Sequence, residues 1–159
     1  MNLAERKAHE IRRRYRFAEP ISDGEIQTLY RDFGLDLVEH RFAGRVREVT
    51  LGRVVGISPE VCRCEWRWLT GHALSHFLMH RGNHIEMQNS LSVLRHERQA
   101  ELFTGWLFMA SSWDLMAPWE LAKFHNLPER RIWRWLKIKA GERLEVSGGS
   151  RQRYTAQLE

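Results

Sequence analysis

Cysteine is scarce in this chain, and long apolar runs are missing altogether. The two cysteines, Cys62 and Cys64, stand one residue apart. That spacing fits neither a disulfide framework nor a Cys-x-x-Cys redox or zinc pair, so reduced thiols are expected. No stretch approaches the roughly 18 apolar residues of a membrane-spanning helix. The opening MNLAERKAHEIRRRYRF lacks the apolar centre of a secretory signal, and Glu5 and Glu10 speak against a transit peptide. A cytoplasmic protein is expected. There is no internal repeat, which excludes solenoids and propellers.

What is present is a globular composition: 159 residues, 43% hydrophobic, enough for one domain with a real core. The net charge of +5 is compatible with a nucleic-acid or acidic partner, although solubility alone accounts for as much. Residues 2–17 read as a basic helix that stops before Pro20. Ser22, Asp23 and Glu25 offer capping chemistry for a second helix, with Ile26, Leu29, Tyr30 and Phe33 on one face and Gly34 past its end. LDLVEH and GRVREVTLGRVVGIS alternate like short strands, with a turn at Leu51-Gly52. Ser58-Pro59 reads as the start of a helix reaching about His80, stopped by Gly82-Asn83. Another helix is expected over 92–109, then two short ones within 118–139 around Asn126-Leu127-Pro128. The fold expected is α+β, mostly helical with a small antiparallel sheet, as one domain over 1–140 and a flexible tail over 141–159.

Eight histidines are present, and TGHALSHFLMHRGNH places four of them, His72, His76, His80 and His84, four residues apart. Helical residues at that spacing share a face, so two imidazoles can grip one zinc ion at roughly 2.0–2.1 Å each. A catalytic zinc then needs a third protein ligand and leaves a position for water. His-x-x-x-His alone is a weak pattern, equally met by a histidine-rich surface helix. The metalloprotease motif His-Glu-x-x-His adds a glutamate that takes a proton from the attacking water. Here Ala73 occupies that place.

In this setting GRVREVTLGRVVGISPEVCRCEWRWLTGHALSHFLMHRGNH resembles the ImmA/IrrE family of zinc metallopeptidases. Members carry a strand pair followed by a helix of the form Arg-Phe-Thr-x-Ala-His-Glu-x-Gly-His with a further histidine. Arg67, Trp68, Gly71, His72, His76 and His80 match or nearly match it. The family's next helix, Glu-x-x-Ala-Asn-x-Phe-Ala-x-x-Leu-Leu-Met-Pro, is similar to ERQAELFTGWLFMA, with Glu97, Ala100, Phe103, Leu107 and Met109 in register. The resemblance spans roughly residues 20–140 and implies a zincin-like fold with Zn²⁺ on His72, His76 and Glu97. Glu101 stands where the family has asparagine, as a supporting group or a rival ligand. Glu86, His84 and His96 are weaker rivals. His80 lines the cleft and steadies a substrate oxygen, or makes a structural hydrogen bond.

Ala73 is the departure that matters, because a methyl group accepts no proton, and loss of such a base costs about 10²–10⁴ in rate. It is either a Glu→Ala change made to silence an active peptidase or a natural loss of hydrolysis. The intact ligand set favours the first. Ser75, Thr104 and Ala110 also depart from the family pattern, as packing changes, with Ser75 read as a surface hydroxyl.

In ELAKFHNLPERRIWRWLKIK, residues 118–139 have the spacing of a helix-turn-helix, with Arg130, Arg131, Arg134, Lys137 and Lys139 on the second helix. The favoured reading is a helical pair that closes the core, with Trp133 and Trp135 as packing; contact with nucleic acid is the less favoured one. The resemblance implies a zinc endopeptidase that cleaves a helix-turn-helix repressor and relieves repression of a mobile element, phage or stress regulon. The alternatives are a non-catalytic regulator that binds a repressor or DNA, and a structural zinc domain whose shell is closed by His80, Glu101 or a cysteine.

Overall fold

The computed structural model describes residues 1–80 and 90–146. Among them are α1 (Leu3–Tyr15), α2 (Asp23–Asp32), β1 (Asp36–Glu39), β2 (Glu48–Leu51), β3 (Val54–Ile57), α3 (Arg63–Met79), α4 (Ser90–Met109), α5 (Pro118–His125) and α6 (Glu129–Val146). The fold is mixed α+β and mainly helical. No described helix is long and apolar enough to cross a membrane.

Local chemistry explains most helix ends. The Asn2 side chain accepts the Glu5 N–H at 2.8 Å and opens α1, which stops at left-handed Arg16. Ser22 and Glu25 form the anticipated reciprocal capping box at the start of α2, each side chain taking the other's backbone N–H. The next start is later than Ser58-Pro59 implied. Ser58 Oγ accepts the Glu60 N–H at 3.3 Å in a turn, and Cys62 caps α3. At the other end, α3 closes on His80 as its cap residue. The Gly82-Asn83 stop lies outside the described residues.

The sheet corrects one expectation. Its strand order is β1-β3-β2, with β2 and β3 antiparallel but β1 parallel to β3, so it is mixed. The β2–β3 turn passes through Gly52 at φ 59°, a conformation that costs glycine nothing. Glu39 and Glu48 both pair with Ile57, from opposite sides. The intervening segment need cross only the end of β3, roughly 10 Å for two strand spacings. Hydrophobic alternation records which residues face inward, not the direction of a neighbouring strand.

Two glycines set how closely the site-bearing helices approach. A Cβ on Gly71 would stand 2.8 Å from Phe108 and 2.9 Å from Thr104, so α3 and α4 pack almost backbone to side chain there. A Cβ on Gly105 would lie 2.1 Å from the Trp135 indole, which locks α6 onto α4. Trp68, Leu74, Phe103, Leu107, Phe108 and Trp135 fill the space between these helices. Arg12 of α1 donates to the Leu107 carbonyl at 2.6 Å and pairs with Glu19 at 3.0 Å, fixing α1 along α4.

The helices α5 and α6 are separated by Asn126, Leu127 and Pro128, with Asn126 left-handed at φ 50°. Leu121, Leu127, Ile132 and Trp135 of this pair belong to the main core. Helix α6 continues through Gly141 to Val146, where the sequence implied loose chain from 141 onward. The rest of that tail lies outside the described residues.

Candidate metal centre

Seventeen residues of unbroken helix carry His72 and His76 on one face of α3. Their rings stand 4.7 Å apart, centroid to centroid, at 80° to one another. Helix α4, drawn in by the contact at Gly71, brings Glu97 across from them. His72 Nε2 lies 3.2 Å from Glu97 Oε2, and His76 Nε2 lies 3.2 Å from Glu97 Oε1. One donor atom from each residue falls within 4.8 Å of the others, a group able to hold a metal ion. Among the described residues this cluster has three members, so no fourth His, Cys, Asp or Glu closes the shell. Burial is uneven: the two imidazole side chains are 12% and 8% exposed and Glu97 43%, which leaves the carboxylate side open to solvent.

Glu48 of β2 completes the arrangement, a residue that no motif or spacing had marked. Its Oε2 sits 3.0 Å from His72 Nδ1, with both side chains 12% exposed. A carboxylate on Nδ1 fixes ring orientation and tautomer, leaving Nε2 for the ligand side, the usual second partner of a metal-bound imidazole. Burial alone would lower the His72 pKa, but Glu48 and Glu97 outweigh it and raise it to about 10. The two imidazoles in turn hold Glu97 well below the ordinary carboxylate range, against the effect of burial. Without a metal, the pocket thus holds its protons firmly between two carboxylates. A divalent cation would exchange for positive charge already stabilised there.

The other anticipated residues divide clearly. Ala73 is fully buried within the hydrophobic core and carries no proton acceptor. His80 is 9% exposed and its ring lies 5.4 Å from His76 and 4.0 Å from His96. The imidazoles therefore run on from the metal group as a stack, without joining its donor set. Glu101 does not join the donor group. It is 2% exposed, with Oε1 at 2.9 Å from Arg131 and 3.6 Å from Arg134. Ser75 is buried and not a surface hydroxyl; it donates to the His72 carbonyl at 2.6 Å. His84 and Glu86 lie outside the described residues.

Arg67, matched to the family motif, serves as a strut. It is 4% exposed, donates to the carbonyls of His125 and Ile21, and pairs with Asp23. The basic side of α6 is divided: Arg131 and Lys139 turn inward, while Arg130 and Arg134 are paired yet 76% and 58% exposed. Arg130 and Arg131 meet Glu65 at 3.0 and 2.7 Å, and Arg131 and Arg134 meet Glu101. Lys139 is 6% exposed, with Nζ 3.2 Å from the centre of the Trp113 ring and within 6 Å of Trp106 and Trp135. Trp135 is buried as packing, whereas Trp133 is half exposed and donates to Glu129. Compared with known proteins, the chain matches no protein-family model and no curated protein.

Proposed function

We propose that the chain is a zinc-binding domain of the ImmA/IrrE metallopeptidase type, zincin-like in design, whose hydrolytic step is disabled by Ala73. The observation that carries this reading is the convergence of His72 Nε2, His76 Nε2 and both Glu97 oxygens from two helices. Two imidazoles and one carboxylate suit zinc among the common divalent ions. Bound there, zinc would supply Lewis acidity, lowering the pKa of a coordinated water and polarising a peptide carbonyl. His72, His76 and Glu97 are the ligands, and Glu48 keeps His72 in the ligating orientation. His80 stands beside His76, within reach of a substrate oxygen that enters along the imidazole stack. What the chain fails to supply is the base: position 73 holds a methyl group where a carboxylate would receive the proton of water.

The substrate in this reading is a cytoplasmic helix-turn-helix repressor, cut to relieve repression of a mobile element, phage or stress regulon. The sequence given is then a silenced form of an active peptidase. A second reading is favoured by one observation: Ala73 is 0% exposed and packed among apolar side chains. A protein long adapted to alanine there would be a regulator that binds a repressor, or its operator, without cutting.

Ala73→Glu separates the two. The variant is loaded with zinc and incubated with the repressor encoded beside the gene. A single cut abolished by chelator, with stability unchanged, supports the silenced peptidase. Tight repressor binding without cleavage, together with destabilisation by about 2–5 kcal/mol from a carboxylate forced into the core, supports the regulator. Failure of the parent chain to bind zinc would overturn both as metal-centred readings.

A further inference from the structure

Cys62 and Cys64 take no part in the metal group, and they sit at the opposite end of α3. Cys62 precedes the helix in an extended conformation (φ −65°, ψ 162°), and its Sγ accepts the Glu65 N–H at 3.3 Å. Cys64, two residues on, is already helical and half-buried. Both line an open cleft of about 510 Å³, together with Arg47, Glu60, Val61 and Pro128. If capping were the only task, serine would do it better, because sulfur is a weak acceptor and oxygen a strong one. A second cysteine two residues on, lining the same cleft, adds nothing to a cap. It does supply what a reactive thiol needs, a resolving partner within reach.

The two thiols are also unequal. Hydrogen bonds from Cys64 and from the Glu65 N–H stabilise the Cys62 thiolate and hold it below the ordinary thiol range. Burial and the neighbouring sulfur hold Cys64 above it. Cys62 is exposed, so the thiolate is also the accessible member of the pair. Cα atoms two residues apart are separated by at most roughly 7 Å, the outer limit of disulfide reach, and Cys62 is free of the side-chain direction that a helix imposes.

We propose that Cys62 and Cys64 form a redox-active dithiol, a modification site at which hydrogen peroxide converts the pair to an intramolecular disulfide. The Cys62 thiolate attacks one peroxide oxygen, the O–O bond breaks and hydroxide leaves, so that Cys62 becomes a sulfenic acid. The Cys64 sulfur then attacks the Cys62 sulfur, forming the S–S bond and expelling hydroxide. The protons of the two thiols convert both hydroxides to water. The thiols lose two electrons and two protons, and the peroxide gains them. The metal ligand His72 lies ten residues along α3, roughly 15 Å away. Oxidation therefore acts first on the cap of α3 and on Glu65, the anchor for Arg130 and Arg131 of α6.

The test uses the full, reduced chain treated with hydrogen peroxide, then alkylated and digested with trypsin. Cleavage after Arg63 separates the two cysteines, so the disulfide is read as two joined peptides, released again by dithiothreitol. The expected result is that linked pair in monomeric protein. In Cys64→Ser, dimedone should trap a sulfenic acid on Cys62, and in Cys62→Ser oxidation of Cys64 should slow at least about tenfold. The proposal is overturned by thiols still alkylated after excess peroxide, by disulfides only between chains, by Cys64 reacting first, or by equal rates in the urea-unfolded chain. None of these outcomes depends on zinc binding.

Discussion

Glu97 and Glu101 stand one turn apart on α4, yet they meet opposite chemistry. Glu101 is 2% exposed and faces Arg131 and Arg134, whose charges are permanent. Glu97 is 43% exposed and faces two imidazoles, whose charge depends on a proton. A carboxylate against guanidinium is committed to the fold, because the guanidinium cannot give up its charge. A carboxylate against imidazole can trade the shared protons for a metal ion. The comparison teaches that residue type did not decide the role of either acid. The partner's ability to lose its charge did.

The sharpest way to break this contrast is Glu97→Ala, which removes a ligand. It should weaken zinc binding well beyond the roughly 100-fold that loss of a supporting group costs, with a drop in melting temperature for the metal-free protein smaller than that in Glu101→Ala, because Glu97 is paired with two imidazoles but 43% exposed. Isothermal titration with zinc checks it, and unchanged affinity would remove Glu97 from the site. Glu101→Ala should do the reverse. Arg131 keeps Glu65 and Arg134 is 58% exposed, so losing the buried carboxylate should cost about 1–3 kcal/mol in urea unfolding, with zinc affinity retained by the molecules that fold.

His125 extends the comparison to an imidazole that has no exchangeable role. It is fully buried, hydrogen-bonded to Ser112 at 2.7 Å, and stands near Glu19, Arg67 and Arg12. Burial lowers its pKa from 6.5 to about 4, with Glu19 opposing and Arg67 and Arg12 adding to the shift. Between those values the unfolded chain binds the extra proton, so stability falls as pH drops from 6.5 toward 4 and levels off with respect to this group below that. The expected loss is on the order of 3 kcal/mol. In His125→Gln, the slope of unfolding free energy against pH should flatten across the window; an unaltered slope would place the effect elsewhere.

The smallest effect is expected at Glu48. Glu48→Gln keeps a hydrogen bond to His72 Nδ1 but withdraws the charge, and should weaken zinc binding about 10- to 100-fold. Restoration in Glu48→Asp combined with an unchanged melting temperature would mark a positioning role. Equal losses of affinity and stability in both variants would mark a merely structural one.

How much of this was legible in the sequence varies with the range of each interaction. The shared face of His72 and His76 follows from a four-residue interval within one helix, and the box at Ser22 and Glu25 from a three-residue one. Glu97 came to notice through the resemblance of its helix, not through distance. Glu48 was invisible: alternation can assign a strand residue to a face, but nothing in the chain says that β2 lies against this turn of α3. The partners of the α6 arginines were hidden for the same reason. The spacing of those arginines marks a basic face, while Glu65 and Glu101, which engage them, lie 30 to 66 residues away along the chain. Parallel pairing of β1 with β3 likewise left no local trace.

The sequence by itself determined the helical periodicity, the cap at Ser22, the inventory of donors and the absence of a carboxylate at Ala73. These depend on backbone geometry repeated over a few residues. Only the tertiary structure decided which acid faces imidazole and which faces guanidinium, because that depends on how closely α3, α4 and α6 approach. Gly71 and Gly105 permit that approach by leaving space that any Cβ would fill.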